Sequence, residues 1–278
     1  MIDLHTHSNL SDGSSEPEQI AELAARAGCS YFALTDHDRL DGIERASRRA
    51  GELGITCIAG CEVSCDFLGT SCHVLVYFVQ PGQSPLQDEL DRLLDDRETR
   101  NGRLIGRLNQ LGVDITLEEV RAQAGQGSIG RPHFAQVLVD KGLVGSIQDA
   151  FDEYLGKGSK AYVGKARVTP GEVAKLARLS GGVAVLAHPF TLGLEGSALK
   201  DAVLDLRDQG LVGLEAYYGR YSRDQRDLLV SLANSLDMVP TGGSDFHGDY
   251  KPDLAVGVGT GDLFVPDDVL DSLQERCP

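Results

Sequence analysis

Positive charge is scarce in this chain. Of its 278 residues, 26 are lysine or arginine against 42 aspartate or glutamate, for a formal net charge of −16. Such a surface repels a phosphate backbone, so nonspecific binding of long nucleic acid is not expected. A small phosphorylated molecule stays open, because a local cationic pocket or bound cations can oppose the global field. Long apolar runs are also lacking. "HVLVYFV" and "GGVAVLAH" are strand-sized, and no tract is long enough to span a bilayer, so no membrane partner is expected. Met1 leads straight into the strand-like "MIDL", with no basic or apolar leader, and a cytoplasmic location is expected. The six cysteines (Cys29, Cys57, Cys61, Cys65, Cys72 and Cys277) form no C-x-x-C pair. They are expected to be reduced, buried and small-apolar in role; the alternative is a metal role for Cys61 and Cys65, which flank Glu62. There is no G-x-S-x-G motif and no Walker loop, which leaves serine acyl transfer and P-loop NTP hydrolysis without support. Internal repeats and low-complexity tails are missing too.

What is present is a strand–helix alternation. "MIDLHTH" reads as a strand and "SEPEQIAELAARAG" as a helix, capped by Ser14 or Ser15, with Pro17 in its first turn and Gly28 at its stop. "SYFALTDH", "ITCIAGCEVS" and "SCHVLVYFV" read as strands, with the helix "RLDGIERASRRAGELG" between the first two. This rhythm implies α/β architecture, a parallel sheet or barrel with helices outside. From Pro85 to about residue 159 the signal turns helical: a long amphipathic stretch with Leu90, Leu93, Leu94, Leu104, Ile105, Leu108 and Leu111 at helical spacing, then "TLEEVRAQAG", "RPHFAQVLVDKG" and "SIQDAFDEYLG". Alternation resumes with "VTPGEVAKLARLSG", "GVAVLAHPF", "LVGLEAYYG", "RDQRDLLVSLANSLD", "MVPTGGSDFHG" and "AVGVGT". The expected organisation is a barrel domain from residues 1–84 and 160–278, interrupted by a helical insertion, or cap, over residues 85–159.

The seven histidines occupy pointed contexts. His5 and His7 alternate on one strand and so share a face. Two imidazoles on one face can grip one metal ion. His37 in "TDHD", His188 in "LAHPF" and His247 in "SDFHG" also fall at or just past strand ends, with Glu62 near the end of its strand and Asp245 beside His247. In α/β barrels the loops at those ends converge and carry the chemistry. His73 stands at a strand start, which suggests an antiparallel return after Glu62. So many polar groups at one rim are costly unless they have partners, and cations would supply them. Mixed imidazole–carboxylate ligation suits zinc, iron or manganese better than calcium.

The series H-x-H, D-H-D, E, H, A-H-P and S-D-x-H resembles the polymerase and histidinol phosphatase (PHP) family of metal-dependent phosphoesterases, over nearly the whole chain. The stretches "MIDLHTHSNLSDGSSEPEQIAELAARAG", "ALTDHD", "AGCEVSC" and "GRPHFA" are similar in particular to the bacterial branch that dephosphorylates nucleotides such as 3′,5′-bisphosphates. The resemblance implies a distorted seven-stranded β/α barrel holding two to three divalent ions, manganese foremost, with zinc or iron as alternatives. It implies a first ion on His5, His7, Glu62 and Asp245, a second on Glu62, His73 and His188, and a third on Asp12, His37 and His247. Other branches carry a histidine at the Asp12 position, so the third site is expected to be the weaker one.

Such a site hydrolyses phosphate esters through a metal-bound hydroxide, with Asp245 and His247 assisting proton movement. Arg97, Arg100, Arg103 and Arg107 lie on roughly one helical face, a cationic stripe unless pairs such as Asp96 with Arg100 neutralise it. Within it Arg97 and Arg100 are expected to bind substrate phosphate, joined by Arg131 and His133 at the start of the "RPHF" helix, where free N–H groups point outward. Lys157, Lys160 and Lys165 are expected to be linker charges. The expected substrate is a small phosphorylated nucleotide, a 3′,5′-bisphosphate or nucleoside monophosphate. Trimming of short RNA or DNA from the 5′ end is the first alternative, then histidinol-phosphate phosphatase activity. A non-catalytic metal scaffold comes last, since it predicts missing ligands and every expected position is filled.

Overall fold

The computed structural model describes residues 1–124, 129–164 and 167–278. Seven strands follow one another around a single sheet: β1 (Ile2–Thr6), β2 (Tyr31–Leu34), β3 (Thr56–Phe67), β4 (Thr70–Tyr77), β5 (Val183–Leu186), β6 (Gly213–Tyr218) and β7 (Val239–Gly243). β1, β2 and β3 run parallel, as do β5, β6 and β7; β4 is antiparallel to both neighbours. The first and last strands approach through a Thr6–Phe246 bridge, with the Asp245 N–H donating to the His5 carbonyl and the His7 N–H to that of Phe246. The result is a nearly closed barrel surrounded by helices. Gly243 makes the approach possible: a Cβ there would sit 2.4 Å from the His5 nitrogen.

Helices α1 (Pro17–Ala27) and α2 (Ile43–Glu52) connect the first parallel strands, and α7 (Pro170–Leu179), α8 (Gly196–Asp208) and α9 (Arg223–Ser235) the later ones, with α10 (Asp268–Gln274) after β7. α1 buries Ile20, Ala21 and Ala24 at helical spacing and stops at Gly28 in the left-handed region, as its sequence requires. Its N-cap is Glu16, in a capping box with Gln19, rather than Ser14 or Ser15. Ser14 is engaged elsewhere, its hydroxyl accepting from the Asp249 N–H. The segment "AVGVGT" is no strand either. Gly257 and Gly259 take positive φ and the chain turns back through an Ala255–Gly259 bridge. Two left-handed glycines cannot continue an extended strand.

The chain divides into two compact units, Met1–Leu90 with Arg167–Pro278, and Asp91–Ala166. The helix α3 (Pro85–Gln110) runs across the first boundary; α4 (Leu117–Ala124), α5 (Arg131–Asp140) and α6 (Ile147–Ala150, continued by a π turn over Phe151–Leu155) complete the second unit. That unit has its own apolar core, centred on Leu104, Leu108, Val120, Phe134, Leu138 and Leu155. The barrel unit has another, which gathers Ile2 and Leu4 from β1, Leu75 and Tyr77 from β4, Val183 and Val185 from β5, and Leu270 and Leu273 from α10. Among the described residues no helix is long and apolar enough to cross a membrane.

Candidate metal centre and active site

All nine residues picked from the sequence as metal ligands converge in the barrel unit. His5 and His7, fully buried on one face of β1, bring their Nε2 atoms to 3.1 Å. Glu62 Oε2 lies 3.3 and 3.1 Å from these two atoms, and Asp245 Oδ1 lies 3.5 and 3.4 Å away. The other nitrogen of His7 faces Asp12 Oδ1 at 3.5 Å, and Asp12 also meets His37 at 3.6 Å and His247 at 3.3 Å. The third group forms around Glu62, with His37 at 3.3 Å and His73 and His188 each at 2.9 Å. The donor sets that could hold an ion are therefore His5–His7–Glu62–Asp245, His7–Asp12–His37–His247 and His37–Glu62–His73. This geometry departs from the sets drawn from sequence in two respects. The set around Glu62 and His73 takes His37 in place of His188, which meets Glu62 at 2.9 Å but joins no set. His7 and His37 each face two groups, because each ring offers a nitrogen on either side. No cysteine joins these sets; Cys61 and Cys65 are buried away as small apolar side chains.

Local structure explains the convergence. β1 alternates its side chains, so His5 and His7 emerge on the same face. After β2, Asp36 and Asp38 flank His37 as anchors. Asp36 accepts from the Ser8 N–H and from the Ser8 and Ser11 hydroxyls, which folds the loop carrying Asp12. Asp38 accepts from the N–H and hydroxyl of Ser64 and so fixes β3 beside Glu62. Glu62 is not near the end of its strand, since β3 continues to Phe67. It lies just beyond the part of β3 that pairs with β2, where β3 and the antiparallel β4 form a hairpin carrying His73 opposite Ser64. His188 and Asp245 follow β5 and β7 at φ values of 26° and 55°. Non-glycine residues rarely adopt such angles, and they are held where a side chain must be aimed.

Four supporting residues escaped the sequence reading. Glu215 on β6, wholly buried, places one oxygen 2.8 Å from His5 Nδ1 and accepts the His188 N–H on the other at 2.8 Å. Asp3 accepts the N–H groups of His5, Ser244 and Gly257. Asp245 keeps Oδ1 toward the imidazoles, while Oδ2 accepts from the Tyr218 hydroxyl at 2.7 Å and from Lys251. A lone charge inside "GLEAYYG" is the one signal that could have singled out Glu215.

The electrostatics follow from burying carboxylates among imidazoles. Burial opposes charge on His5, but Glu215, Glu62 and Asp245 override it and hold the ring well above its usual range. Burial also opposes charge on His7, and Asp245 and Glu62 carry that ring to about 9. His37 goes the other way, because burial outweighs Glu62 and Asp12 and brings it to about 4. Burial would raise Glu62 and Asp245, yet the surrounding imidazoles keep both well below the usual carboxylate range. Three buried nitrogens, Nδ1 of His7, His37 and His73, face carboxylate oxygens at 3.5, 3.3 and 2.9 Å without forming a hydrogen bond. Buried lone pairs without donors are costly, and divalent cations would satisfy them. The residues present therefore fit such ions.

The helical unit holds the sequence-picked cations. Arg100 is buried, its Nε has no partner, and it donates to the side chain of its neighbour Asn101. Burial and the adjacent charges of Arg131 and Arg97 bring it down to about 10. Asp96 does not neutralise it, pairing with Arg92 at 2.7 Å instead. Arg131 stacks over the Tyr162 ring and donates to the Val163 carbonyl. His133 caps α5 by accepting the Gly130 N–H on Nδ1, so one ring nitrogen has a structural use. Lys160 pairs with Glu153, Lys157 is exposed, and Lys165 lies outside the described residues.

Known proteins resemble this chain. Residues 3–80 match the PHP domain. A 5′-3′ exoribonuclease of Haemophilus influenzae is 31% identical over 245 residues, 88% of this chain and 89% of that protein. The 3′,5′-nucleoside bisphosphate phosphatase of Chromobacterium violaceum is 30% identical over 257 residues, 92% of this chain and 90% of that one. A solved structure assigned as a metal-dependent phosphoesterase, from Bifidobacterium adolescentis, matches with a TM-score of 0.81 at 29% identity, covering 99% of this chain and 96% of that one. Sequence likeness across most of the chain and the same fold agree with the convergent histidines and carboxylates: the chain belongs to the PHP family and is a metal-dependent phosphoesterase.

Proposed function

We propose that this enzyme removes a terminal phosphate from a small nucleotide, a 3′,5′-bisphosphate or a nucleoside monophosphate. The observation that carries the reading is the overlap of three donor sets through Glu62, His7 and His37. His5, His7, Glu62 and Asp245 would hold one ion, Glu62 with His73 and His188 a second, and Asp12, His37 and His247 a third. When bound, such ions activate water and neutralise charge on the phosphoryl oxygens. Manganese is the metal we favour, with zinc and iron as alternatives compatible with these donors.

The chain's own residues supply the rest. His247 has Nδ1 2.8 Å from the Asp245 carbonyl, which leaves Nε2, facing Asp12, as the atom it would offer to the third ion. Asp245 is braced by Tyr218 and Lys251 and keeps its ligating oxygen fixed. Arg97, Arg100, Arg131 and His133 would receive a substrate phosphate; the crowding of Arg100 by the guanidiniums of Arg131 and Arg97 supports this. Six cysteines without a disulfide are in keeping with a cytoplasmic enzyme. Trimming of short oligonucleotides from the 5′ end is the second reading, supported by the Haemophilus influenzae relative.

Metal content together with phosphate release tests the proposal. A nucleoside 3′,5′-bisphosphate, a nucleoside monophosphate and a 5′-phosphorylated short RNA are compared with and without chelator. Chelator-sensitive phosphate release, greatest on the first two, is expected. Absence of release from every nucleotide by the metal-loaded protein would overturn it.

A further inference from the structure

Lys251 reaches the metal centre without being one of its donors. It stands six residues beyond Asp245, in the segment after β7, and its Nζ comes to 2.5 Å from Asp245 Oδ2. Of the described lysines and arginines of the barrel unit, it is the one whose ion pair meets a member of the three donor sets. The segment is built to bring it there. A short 3₁₀ turn, Gly248–Tyr250, follows His247, and the Lys251 N–H donates to the Gly248 carbonyl. Gly248 takes a φ of 66°, and a Cβ on it would lie 2.0 Å from Ser14 Oγ. That hydroxyl accepts the Asp249 N–H, which ties the turn to the loop carrying Asp12. The neighbouring acid Asp253 is held by Arg220 through two hydrogen bonds.

Bracing Asp245 does not by itself call for a lysine. Asp245 Oδ2 already accepts from the buried Tyr218 hydroxyl at 2.7 Å. A lysine is a mobile, strongly hydrated point charge, and fixing it costs rotamer entropy. Its side chain here is 25% exposed; among the donor residues only Asp12, at 49%, and His73, at 28%, are more open. Lys251 is therefore open to solvent at the cluster, where a substrate can meet it. Charge balance gives it a use. The three donor sets contain three carboxylates, Asp12, Glu62 and Asp245, so two divalent ions would already exceed their charge. An ion on Asp245 Oδ1 and the ammonium on Oδ2 would be like charges sharing one carboxylate, which favours an anion beside both. A phosphate monoester brings about 1.5–2 negative charges at neutral pH; a diester brings about one.

We propose that Lys251 binds the phosphoryl oxygens of the substrate and selects the phosphate monoester over the diester. The inference rests on the phosphatase reading and deepens it, by naming a residue of the barrel unit that recognises the charge of the group to be removed. A hydrogen bond between charged partners changes binding by about 10–100-fold. The preference for the extra charge of the monoester should be of that order.

The test compares the wild type with Lys251→Gln and Lys251→Arg. Three quantities are measured: manganese affinity by calorimetry, binding of inorganic phosphate to the metal-loaded protein, and kcat/KM on 4-nitrophenyl phosphate and bis(4-nitrophenyl) phosphate, which share a leaving group. For Lys251→Gln we expect phosphate binding weaker by about tenfold or more and a monoester-to-diester ratio of kcat/KM lower by about tenfold or more. Manganese affinity should stay within about threefold, below the 10–100-fold loss that removal of a ligand-orienting partner brings. Lys251→Arg should recover part of the phosphate binding, since it restores the charge. Unchanged phosphate binding in Lys251→Gln overturns the proposal. So does an equal loss on both esters accompanied by a fall in manganese affinity, which would make Lys251 a brace for Asp245 alone. If the wild type releases phosphate from no nucleotide, the functional reading fails, and the binding of inorganic phosphate still decides the role of Lys251.

Discussion

Glu215 shows how much rests on a residue outside the three donor sets. One carboxylate orients the His5 ring and also accepts the N–H of His188, whose backbone is held at a φ of 26°. Carboxylates behind ligating histidines fix the ring and raise its basicity, and their loss typically costs about 10–100-fold in metal affinity. Glu215→Gln should show a loss of that size in a metal titration while the fold, followed by circular dichroism, is kept. Unchanged affinity would remove Glu215 from this role. Asp245→Asn should abolish turnover with little change in fold, since it removes the negative charge that faces His5, His7 and His247. Arg131→Ala should raise KM about tenfold, equivalent to about 1.4 kcal/mol, and leave kcat nearly constant; wild-type kinetics would strike it from the substrate residues. The clustered histidines were legible because local patterns mark them: alternation in H-x-H, or a polar pair at a strand end. Glu215 and Asp3 were not, because each is a single acid in an apolar strand, and the partners that explain it lie on other strands.

At the level of elements, the barrel closes where β1 meets β7. Gly243 permits this, since an added Cβ would collide with the nitrogen and Cβ of His5 and with Asp3 Oδ1. Gly243→Ala should therefore destabilise the protein by about 1–3 kcal/mol or more, seen as a lower denaturation midpoint. It should also weaken metal binding, because His5 would shift. A variant as stable as wild type would mean that the strands separate without cost. The strand–helix rhythm was readable because helices such as α1 announce themselves by proline, apolar spacing and terminal glycine. The antiparallel β4 was signalled only by the odd position of His73. "AVGVGT" misled because its alternation is strand-like while its glycines serve a turn, where Gly257 donates to Asp3. Ser14 misled for a similar reason. A good capping residue was taken by a contact with Asp249, distant in sequence.

For the whole molecule, the buried acid cluster links metal, proton and stability. With His7 near 9 in the ion-free protein, its ring is protonated at neutral pH. An incoming cation must displace that proton, so affinity should rise as pH climbs toward about 9 and fall as pH drops. Calorimetric titration in buffers of different ionisation heat should report proton release at neutral pH; no buffer dependence would contradict it. Ions that bind only the folded state add about 2.7 kcal/mol at a hundredfold excess over Kd. For a chain of this size, chelation should then lower the melting temperature by roughly 5–10 °C. No shift would mean the folded state gains nothing from the ions.

The closure of β1 onto β7 has one further consequence, in time rather than space. His5 and His7 emerge early from the ribosome, but Asp245, which completes their cluster, lies some 240 positions later. Contacts so remote in sequence form late and slowly. A nascent chain stalled before β7 would lack Asp245 and His247, and the two donor sets that include them would stay incomplete.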